Sequence, residues 1–350
     1  MLKKVGHCIL PIEWRNPFCR LLVENLTLQG IETVQLTKWP SPSLCRQEGI
    51  GVLDFHWIEY QFGSCMRRPW SFLFFIIKLT VCWMRLSGEH IKFCWTVHNV
   101  SPHENRWPVF SWLAFLWMAW LADAIIVFTD RQKKEIAGKF FIRRVEKISV
   151  AKHPNYIGYY PDGPGRDEAR KKLGIQENQF VYMCFGIIRP YKGVLEFMRI
   201  FKKQRGLNDL LLIVGSATDS MAEQINSEAD SSVRLALRNI PDDEISLFFQ
   251  AADICVFPFR DITNSGSLIL ALSLGKPVIA PRKGGVVEIV KPEFGLLYDD
   301  DSDLKEVLNK AKALDLEEMG RAGLKEVAKY SWVGFAKDYR DVYCKLFSET

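Results

Sequence analysis

Short, almost wholly apolar segments alternate with helical patterns along nearly the whole chain, and this alternation constrains the fold most. Apolar runs of this kind are typical of strands in a parallel sheet that helices cover on both faces. The predicted strands of the first half are residues 5–11, 31–36, 51–57, 91–97, 124–129 and 147–151, and those of the second half are residues 180–186, 210–215, 254–258 and 277–280. The sequence therefore predicts an α/β fold in which two similar halves follow each other.

Residues 159–165 concentrate proline and glycine between the two halves, and a charged helix start follows at Arg166. Such a composition is typical of a linker. The 350 residues suit two domains of ordinary size. We therefore predict an N-terminal domain over residues 1–160 and a C-terminal domain over residues 161–330, followed by an amphipathic helix over residues 332–347.

The composition excludes several classes of protein. A net charge of +5 is too small for a dedicated nucleic-acid binder, so we expect no nucleic-acid partner. The nine cysteines include no C-x-x-C pair and no group with zinc spacing, which favours reduced thiols in a cytosol. The first apolar run is too short for a signal peptide. We therefore expect a cytoplasmic protein.

Two apolar segments raise the question of membrane contact. Residues 69–86 are interrupted by Lys78 and Arg85, and residues 109–121 are too few to cross a bilayer, so neither is predicted to span it. Aromatic side chains behind Arg67 and Arg68 suit a helix that lies on an anionic membrane surface. Burial against the sheet is the alternative; we favour it for residues 109–121 and leave both interpretations open for residues 69–86.

The strongest chemical signal is the segment over residues 185–193, with the sequence FGIIRPYKG. A predicted strand ends at Gly186, and the following loop carries Arg189 and Lys192 into a helix. Ligands of open α/β sheets bind at the carboxyl ends of the strands. A guanidinium and an ammonium there suit a diphosphate, although a solvated turn with two surface cations is the alternative.

A second loop, over residues 258–267, ends in Asn264, Ser265, Gly266 and Ser267 and opens a predicted helix. The free N–H groups and the dipole at a helix start attract anions, so these four residues are candidates for binding phosphate. An ordinary helix cap by asparagine or serine is the alternative. A third strand–turn–helix segment follows, over residues 275–288.

These motifs together resemble the GT-B glycosyltransferases. The resemblance rests on GKPVIA at residues 275–280, the following GG and EIV, and the segments over residues 95–104 and 152–156, which are similar to acceptor-side loops of that family. It covers nearly the whole chain. It implies two Rossmann-like domains that face each other across a cleft, with residues 331–350 completing the first domain. It also implies a nucleotide-sugar donor and neither a cofactor nor a bound metal.

The resemblance assigns roles to individual residues. Arg189 and Lys192 would hold the donor diphosphate, supported by the N–H groups of residues 263–267. Glu288 would either contact the nucleotide or cap its helix, and both roles stay open. Much of the superfamily carries two glutamates eight positions apart, where this chain has Ile262 and Leu270. Retention and inversion therefore both stay open, and we favour inversion.

An inverting transfer needs a general base that deprotonates the acceptor hydroxyl. The candidates lie at the ends of predicted strands of the first half: His98, His103 and Glu104 foremost, and also Asp54, His56 and Glu59. His98 comes directly after a strand and should therefore lie at the edge of the sheet. A buried or capping histidine is the alternative for that residue.

The sequence thus predicts a glycosyltransferase that moves a sugar from a nucleotide-sugar donor to a glycan acceptor in polysaccharide biosynthesis. We expect the acceptor to be linked to a lipid and the enzyme to contact the inner face of a membrane peripherally. A sugar-nucleotide epimerase on the same fold is one alternative. A non-catalytic relative that serves as a binding subunit is another, because the glutamate pair is missing.

Overall fold

The computed structural model describes residues 4–8, 17–36, 38–59, 70–100 and 107–348. The chain divides into two compact units. The first comprises Met1–His153 with Tyr330–Thr350, and the second comprises Pro154–Lys329. Each unit contains a six-stranded sheet in which all pairs of neighbouring strands are parallel.

The sheet of the first unit has the order β2-β1-β3-β4-β5-β6. Its strands are β1 (Lys4–Cys8), β2 (Thr33–Gln35), β3 (Ile50–His56), β4 (Lys92–Thr96), β5 (Ala124–Val127) and β6 (Ile148–Val150). The helices between them are α1 (Pro17–Leu28), α2 (Pro42–Glu48), α3 (Trp70–Ser87), α4 (Pro108–Leu121) and α5 (Asp130–Lys139). The chain reverses its direction across the sheet between β1 and β3, so this unit has its switch point there.

Both faces of the first sheet are covered, as the continuous apolar strands require. Successive side chains of β4 point to opposite faces, because a strand has a period of two residues. Phe93 and Trp95 pack with α3 and α4 on one face, and Cys94 packs with α1 on the other. Among the described residues, no helix combines the length and the apolar character that crossing a lipid bilayer demands.

The sheet of the second unit has the order β12-β11-β10-β7-β8-β9. Its strands are β7 (Phe180–Phe185), β8 (Asp209–Val214), β9 (Val233–Ala236), β10 (Ile254–Val256), β11 (Val278–Pro281) and β12 (Gly295–Tyr298). The helices are α6 (Arg166–Leu173), α7 (Val194–Gln204), α8 (Asp219–Glu228), α9 (Asp242–Ala251), α10 (Gly266–Ser273), α11 (Val286–Ile289), α12 (Leu304–Ala311) and α13 (Leu316–Val327). The switch point lies between β7 and β10, and it opens a crevice at their carboxyl ends.

The final helix, α14 (Trp332–Ser348), belongs to the first unit and packs on α1. The first boundary between the units falls at residue 153 and not at residue 160. The physical reason is that the segment after His153 is bound to the second unit: the Asn155 side-chain amide donates to the Val327 carbonyl at 3.0 Å, and the Tyr156 N–H donates to the Ser273 hydroxyl at 3.0 Å.

Candidate functional site

Two glycines allow the loops that follow β7 and β10 to pack closely against each other at the carboxyl edge of the second sheet. Gly186 has φ 114°, and a Cβ at this position would lie 2.6 Å from the Ser267 hydroxyl oxygen. Gly193 has φ 67°, and its Cβ would lie 2.1 Å from the Pro258 carbonyl oxygen. Both positions therefore demand glycine, because the backbone conformation and the close approach exclude other residues. The structure brings the two predicted phosphate loops into contact.

Lys192 lies in this crevice, and no anionic partner for it is found in the part of the chain that the structure describes. Its side chain is half-buried, and its ammonium lies 4.8 Å from the centre of the Phe259 ring. No carboxylate of the described residues forms an ion pair with it, and burial lowers the pKa of Lys192 to about 8. Arg189 is half-buried and precedes the short 3-10 turn that contains Lys192. A desolvated ammonium of this kind is stabilised when an anion binds beside it.

The start of α10 carries the side-chain amide of Asn264, which lacks a partner within the described ranges. Both polar atoms of the Asn264 side chain are buried and have no hydrogen-bond partner among the described residues. Ser265 is the N-cap, and its hydroxyl accepts from the Leu268 N–H at 3.2 Å. Gly266 and Ser267 form the first turn of the helix. An unpaired buried amide costs about 1–3 kcal/mol, a cost that a polar ligand at this helix start removes.

The loop after β11 joins the same edge of the sheet. A Cβ at Gly284, which has φ 54°, would lie 1.9 Å from the Ile262 carbonyl oxygen. Glu288 lies in the four-residue helix α11, where its side chain is exposed. Ile262 and Leu270, which replace the glutamate pair, are only 6% and 5% exposed. No carboxylate at either position is therefore available to this crevice.

In the first unit, three titratable side chains meet at the switch point between β1 and β3. His7, Asp54 and His56 are almost completely buried. His56 Nε2 lies 3.3 Å from Asp54 Oδ2 and 3.3 Å from His7 Nδ1. Burial, together with the neighbouring His56 imidazole, lowers the pKa of His7 to about 4, so this imidazole is neutral at pH 7.

The Asp54 carboxylate is held in its ionised form by the donors around it. The Tyr343 hydroxyl donates to Oδ2 at 2.7 Å, and the Thr96 hydroxyl donates to Oδ1 at 2.9 Å. Burial opposes ionisation, but the neighbouring His56 imidazole and its hydrogen bond, with the further contributions of His7 and Tyr343, outweigh it and hold the pKa of Asp54 below its usual range. The cluster therefore contains a buried carboxylate that stays charged.

His98 lies next to this cluster. Its Nε2 is 3.1 Å from His56 Nδ1, and its ring stacks on Trp57 with 3.6 Å between the ring centres and 9° between the planes. Phe18 contacts the same imidazole edge-on. Burial and the neighbouring His56 and His153 lower the pKa of His98 well below its usual value. His98 is thus a neutral imidazole linked through His56 to a charged carboxylate.

His103 and Glu104, the other two predicted catalytic residues, lie outside the described residues. Asn99 donates to the Glu59 carboxylate at 2.6 Å and does not pair with His98 in the described structure. Three members of this cluster were not predicted from the sequence: His7, Trp57 and Tyr343. The signal for His7 was a histidine inside an otherwise apolar strand, and that for Tyr343 was its spacing of four residues from Tyr339 on the final helix.

Ligand atoms of His7, Asp54 and His56 all lie within 4.8 Å of one another, which is close enough for a shared metal ion. However, the Asp54 oxygens already accept hydrogen bonds from the hydroxyl groups of Thr96 and Tyr343. A metal would have to compete with these donors and with the contact between the two imidazoles. The residues therefore fit an internal hydrogen-bond network better than a metal centre.

Comparisons with known proteins match this chain to glycosyltransferases. The family model described as glycosyl transferases group 1 matches residues 165–326, which lie in the second unit. A GDP-mannose:glycolipid 4-beta-D-mannosyltransferase from Xanthomonas campestris pv. campestris is 27% identical over 267 residues, covering 72% of this chain and 68% of that protein.

Two solved structures are similar over nearly their whole length. Sucrose-phosphate synthase from Thermosynechococcus elongatus has a TM-score of 0.74 at 16% identity, covering 99% of this chain and 96% of that one. Anabaena HepE in complex with UDP and glucose has a TM-score of 0.71 at 15% identity, covering 97% of this chain and 99% of that one. At these identities the similarity establishes the fold, which is the GT-B fold of glycosyltransferases, as the sequence predicted.

Proposed function

Because residues 165–326 belong to the glycosyl transferases group 1 family and the whole chain has the GT-B glycosyltransferase fold, we propose that this glycosyltransferase moves a sugar from a nucleotide-sugar donor to a lipid-linked glycan. The name of the Xanthomonas relative supports this proposal, since it specifies GDP-mannose as donor and a glycolipid as acceptor. We take GDP-mannose as the first donor to test.

The observation that carries the donor site is the Lys192 ammonium, which has no ion-pair partner among the described residues and belongs to a loop that packs against Pro258 and Ser267. In this proposal the donor diphosphate lies against Lys192 and Arg189, and the N–H groups of Gly266 and Ser267 support it. The Asn264 amide gains a hydrogen-bond partner from the same ligand. Side chains and a helix start then neutralise the leaving diphosphate, so the proposed reaction uses neither a metal nor a cofactor.

The acceptor side of the proposal uses His98 as the general base. Its lowered pKa keeps the imidazole unprotonated at pH 7, and its Nδ1 has no hydrogen-bond partner among the described residues. A neutral imidazole with a free nitrogen accepts the proton of a hydroxyl that attacks an anomeric carbon. His103 and Glu104 remain candidates for contacts with the acceptor.

We propose that the transfer inverts the anomeric configuration. The name of the Xanthomonas relative specifies a β-D-mannosyl product. A single displacement of an α-linked diphosphate by a deprotonated hydroxyl gives a β product, and it needs a base but no carboxylate nucleophile. The buried aliphatic side chains of Ile262 and Leu270 are consistent with such a reaction, because they supply no nucleophile.

Nucleotide binding tests the donor site. We expect GDP or UDP, with the corresponding nucleotide sugars, to raise the melting temperature of the wild-type protein. The substitutions Arg189→Ala and Lys192→Ala should each lower the affinity for the nucleotide that binds the wild type by at least about tenfold, because each removes a charged contact to phosphate. Lys203→Ala is the matched control, since Lys203 is an exposed lysine of α7. Unchanged affinity in both site variants would refute the assignment.

Because the proposed acceptor is linked to a lipid, we also propose that the exposed face of α3 contacts an anionic membrane. Large apolar side chains on this face are 40–65% exposed: Leu73, Phe74, Ile77, Val81 and Met84. Lys78 and Arg85 are exposed on the same helix, and its other face packs into the core through Phe75 and Leu79. Cations beside apolar side chains suit the headgroup region of an anionic leaflet. Arg67 and Arg68 lie outside the described residues.

Vesicle sedimentation tests the membrane proposal. The wild-type protein should bind vesicles of phosphatidylglycerol and phosphatidylcholine at low salt, and binding should weaken on pure phosphatidylcholine. The double variant Phe74→Ser with Ile77→Ser should bind less, because it removes two exposed apolar side chains. Val333→Ser is the control, as Val333 is 53% exposed on α14. Equal binding of all three proteins would exclude α3 as the contact.

A further inference from the structure

We infer that His98 and His56 form a two-histidine proton relay that ends at Asp54, so that the positive charge produced when the acceptor is deprotonated comes to rest on His56. This inference rests on the proposed role of His98 as the base. Three distances carry it: 3.1 Å from His98 Nε2 to His56 Nδ1, 3.3 Å from His56 Nε2 to Asp54 Oδ2, and 2.7 Å from the Tyr343 hydroxyl to the same Oδ2.

The hydrogen-bond pattern determines which ring nitrogen carries each proton. An ionised carboxylate only accepts hydrogen bonds, so His56 Nε2–H donates to Asp54. The lone pair of His56 Nδ1 then accepts the Nε2–H of His98. This leaves His98 Nδ1 with a lone pair and, among the described residues, without a hydrogen-bond partner. The chain thus selects the tautomer in which the free nitrogen of His98 is basic.

The proposed step balances in protons and electrons. The acceptor oxygen forms a bond to the anomeric carbon while the bond from that carbon to the diphosphate oxygen breaks, and the diphosphate leaves with the electron pair. The hydroxyl proton goes to His98 Nδ1, and the Nε2 proton of His98 moves to His56 Nδ1. His98 ends neutral, and His56 ends as an imidazolium beside the Asp54 carboxylate. The reverse movement of the two protons, with release to water, restores the starting state.

The environment favours the charge on His56 over the charge on His98. His98 is separated from Asp54 by a whole imidazole, whereas His56 is in direct contact with the carboxylate. Trp57 fixes the His98 ring by stacking on it. Trp57 itself has φ 41°, which is strained for a residue other than glycine, and such strain is concentrated at functional sites.

Several other titratable groups face the relay from the elements packed around it. They are His7 of β1, Cys19 of α1, Cys94 of β4, His153 after β6, and Tyr339 and Tyr343 of α14. The thiols and phenols stay protonated at pH 7, because burial raises their pKa values. Asp54 is therefore the described charge that decides where the proton rests.

Nitrogen-15 NMR of the full chain, labelled in its six histidines, tests the relay without any substrate. We expect His98 to carry its proton on Nε2 at pH 7. In Asp54→Asn, His98 should take up a second proton about one pH unit or more lower than in the wild type, because the variant removes the nearby negative charge. His90→Asn is the control, since His90 is exposed in the turn before β4. A His98 proton on Nδ1, or a titration unaffected by Asp54→Asn, would overturn the relay.

Turnover measurements distinguish the role of His98 as the base from the proton relay through His56. They use the nucleotide sugar that binds in the melting-temperature screen. His98→Gln should lower kcat about a hundredfold or more. His56→Gln still accepts a hydrogen bond from His98 but takes no proton, so kcat should fall at least about tenfold with an unchanged KM. The double variant should be no slower than His98→Gln, since both residues act in one step. Wild-type turnover of His98→Gln refutes the base, whereas wild-type turnover of His56→Gln alone refutes only the relay.

Discussion

The Asp54 carboxylate of the first unit receives hydrogen bonds from three side chains, whereas the Lys192 ammonium of the second unit has no ion-pair partner in the described structure. Both groups lie at the carboxyl ends of strands, next to the switch point of a parallel sheet. The same position in two similar folds therefore carries two opposite electrostatic arrangements. In the first unit the chain itself supplies the groups that neutralise the charge. In the second unit we expect a bound ligand to supply them.

This difference relates stability to function in each unit. Paired buried charges stabilise a fold only together, so the removal of one partner is costly. An unpaired buried cation destabilises the free protein, and the binding of an anion relieves that cost. Substitutions at the Asp54 site should therefore destabilise the first unit. Replacement of Lys192 should stabilise the second unit and lower its affinity for the donor.

The largest effect should come from the hydrogen bond between Tyr343 and Asp54. Tyr343→Phe removes a buried hydroxyl that donates to a charged acceptor at 2.7 Å, so the free energy of unfolding should fall by about 2 kcal/mol. Tyr339→Phe is the matched variant: this hydroxyl is also buried on α14 but shares a hydrogen bond with the uncharged Thr96, and we expect a loss of about 1 kcal/mol.

Urea unfolding of the two variants measures this difference. Equal losses in Tyr343→Phe and Tyr339→Phe would mean that Asp54 does not act as a charged acceptor. The pairing of charges inside the first unit would then not distinguish it from the second.

The sequence predicted the alternation of strands and helices well, because buried parallel strands leave a continuous apolar signal. The predicted strands over residues 180–186 and 210–215 match β7 and β8 to within one residue at each end. Six elements were missed: α2, α5, α8, β9, β12 and α13. Their amphipathic or short patterns carry few apolar residues, and α5 has only two buried side chains, Gln132 and Ile136.

The candidate site was only partly predictable. Glycine and charge in the loop over residues 185–193 indicate a backbone turn with two cations, and the structure places them as expected at the end of β7. The contact of His7 with His56, in contrast, joins residues that are 49 positions apart in the sequence, and it depends on the pairing of β1 with β3. Periodicity along one strand gives no information about its neighbour, so the relay was not visible in the sequence.

A smaller effect of opposite sign should follow from Lys192→Met. One pKa unit corresponds to about 1.4 kcal/mol, and the partial exposure of the side chain reduces this value, so we expect a gain of about 1 kcal/mol in the free energy of unfolding at pH 7. The pKa of Lys192 is about 8 in the folded chain, against the ordinary lysine value of 10.5. The wild-type protein therefore becomes more stable as the pH rises from about 8, and the advantage of the variant should shrink.

Denaturant unfolding between pH 7 and pH 10 measures this gain. Lys203→Met, on the exposed side of α7, should leave the stability unchanged. A loss of stability in Lys192→Met would show that the ammonium has a stabilising partner and would remove the contrast between the two units.

The smallest effect concerns the pH dependence of donor binding. GDP-mannose is a suitable probe, because its diphosphate is esterified at both ends and does not titrate near neutrality. Between pH 7 and pH 8.5 the free protein loses the Lys192 proton, so affinity should fall by a few-fold, on the order of 0.8 kcal/mol. Lys192→Arg keeps its charge over this range and should bind with an affinity independent of pH. Calorimetry in buffers of different ionisation enthalpy should show proton uptake by the wild type near pH 8.5 and none by Lys192→Arg. If both proteins take up the same number of protons, the ammonium of Lys192 does not face the diphosphate, and the second unit pairs its charges internally as the first one does.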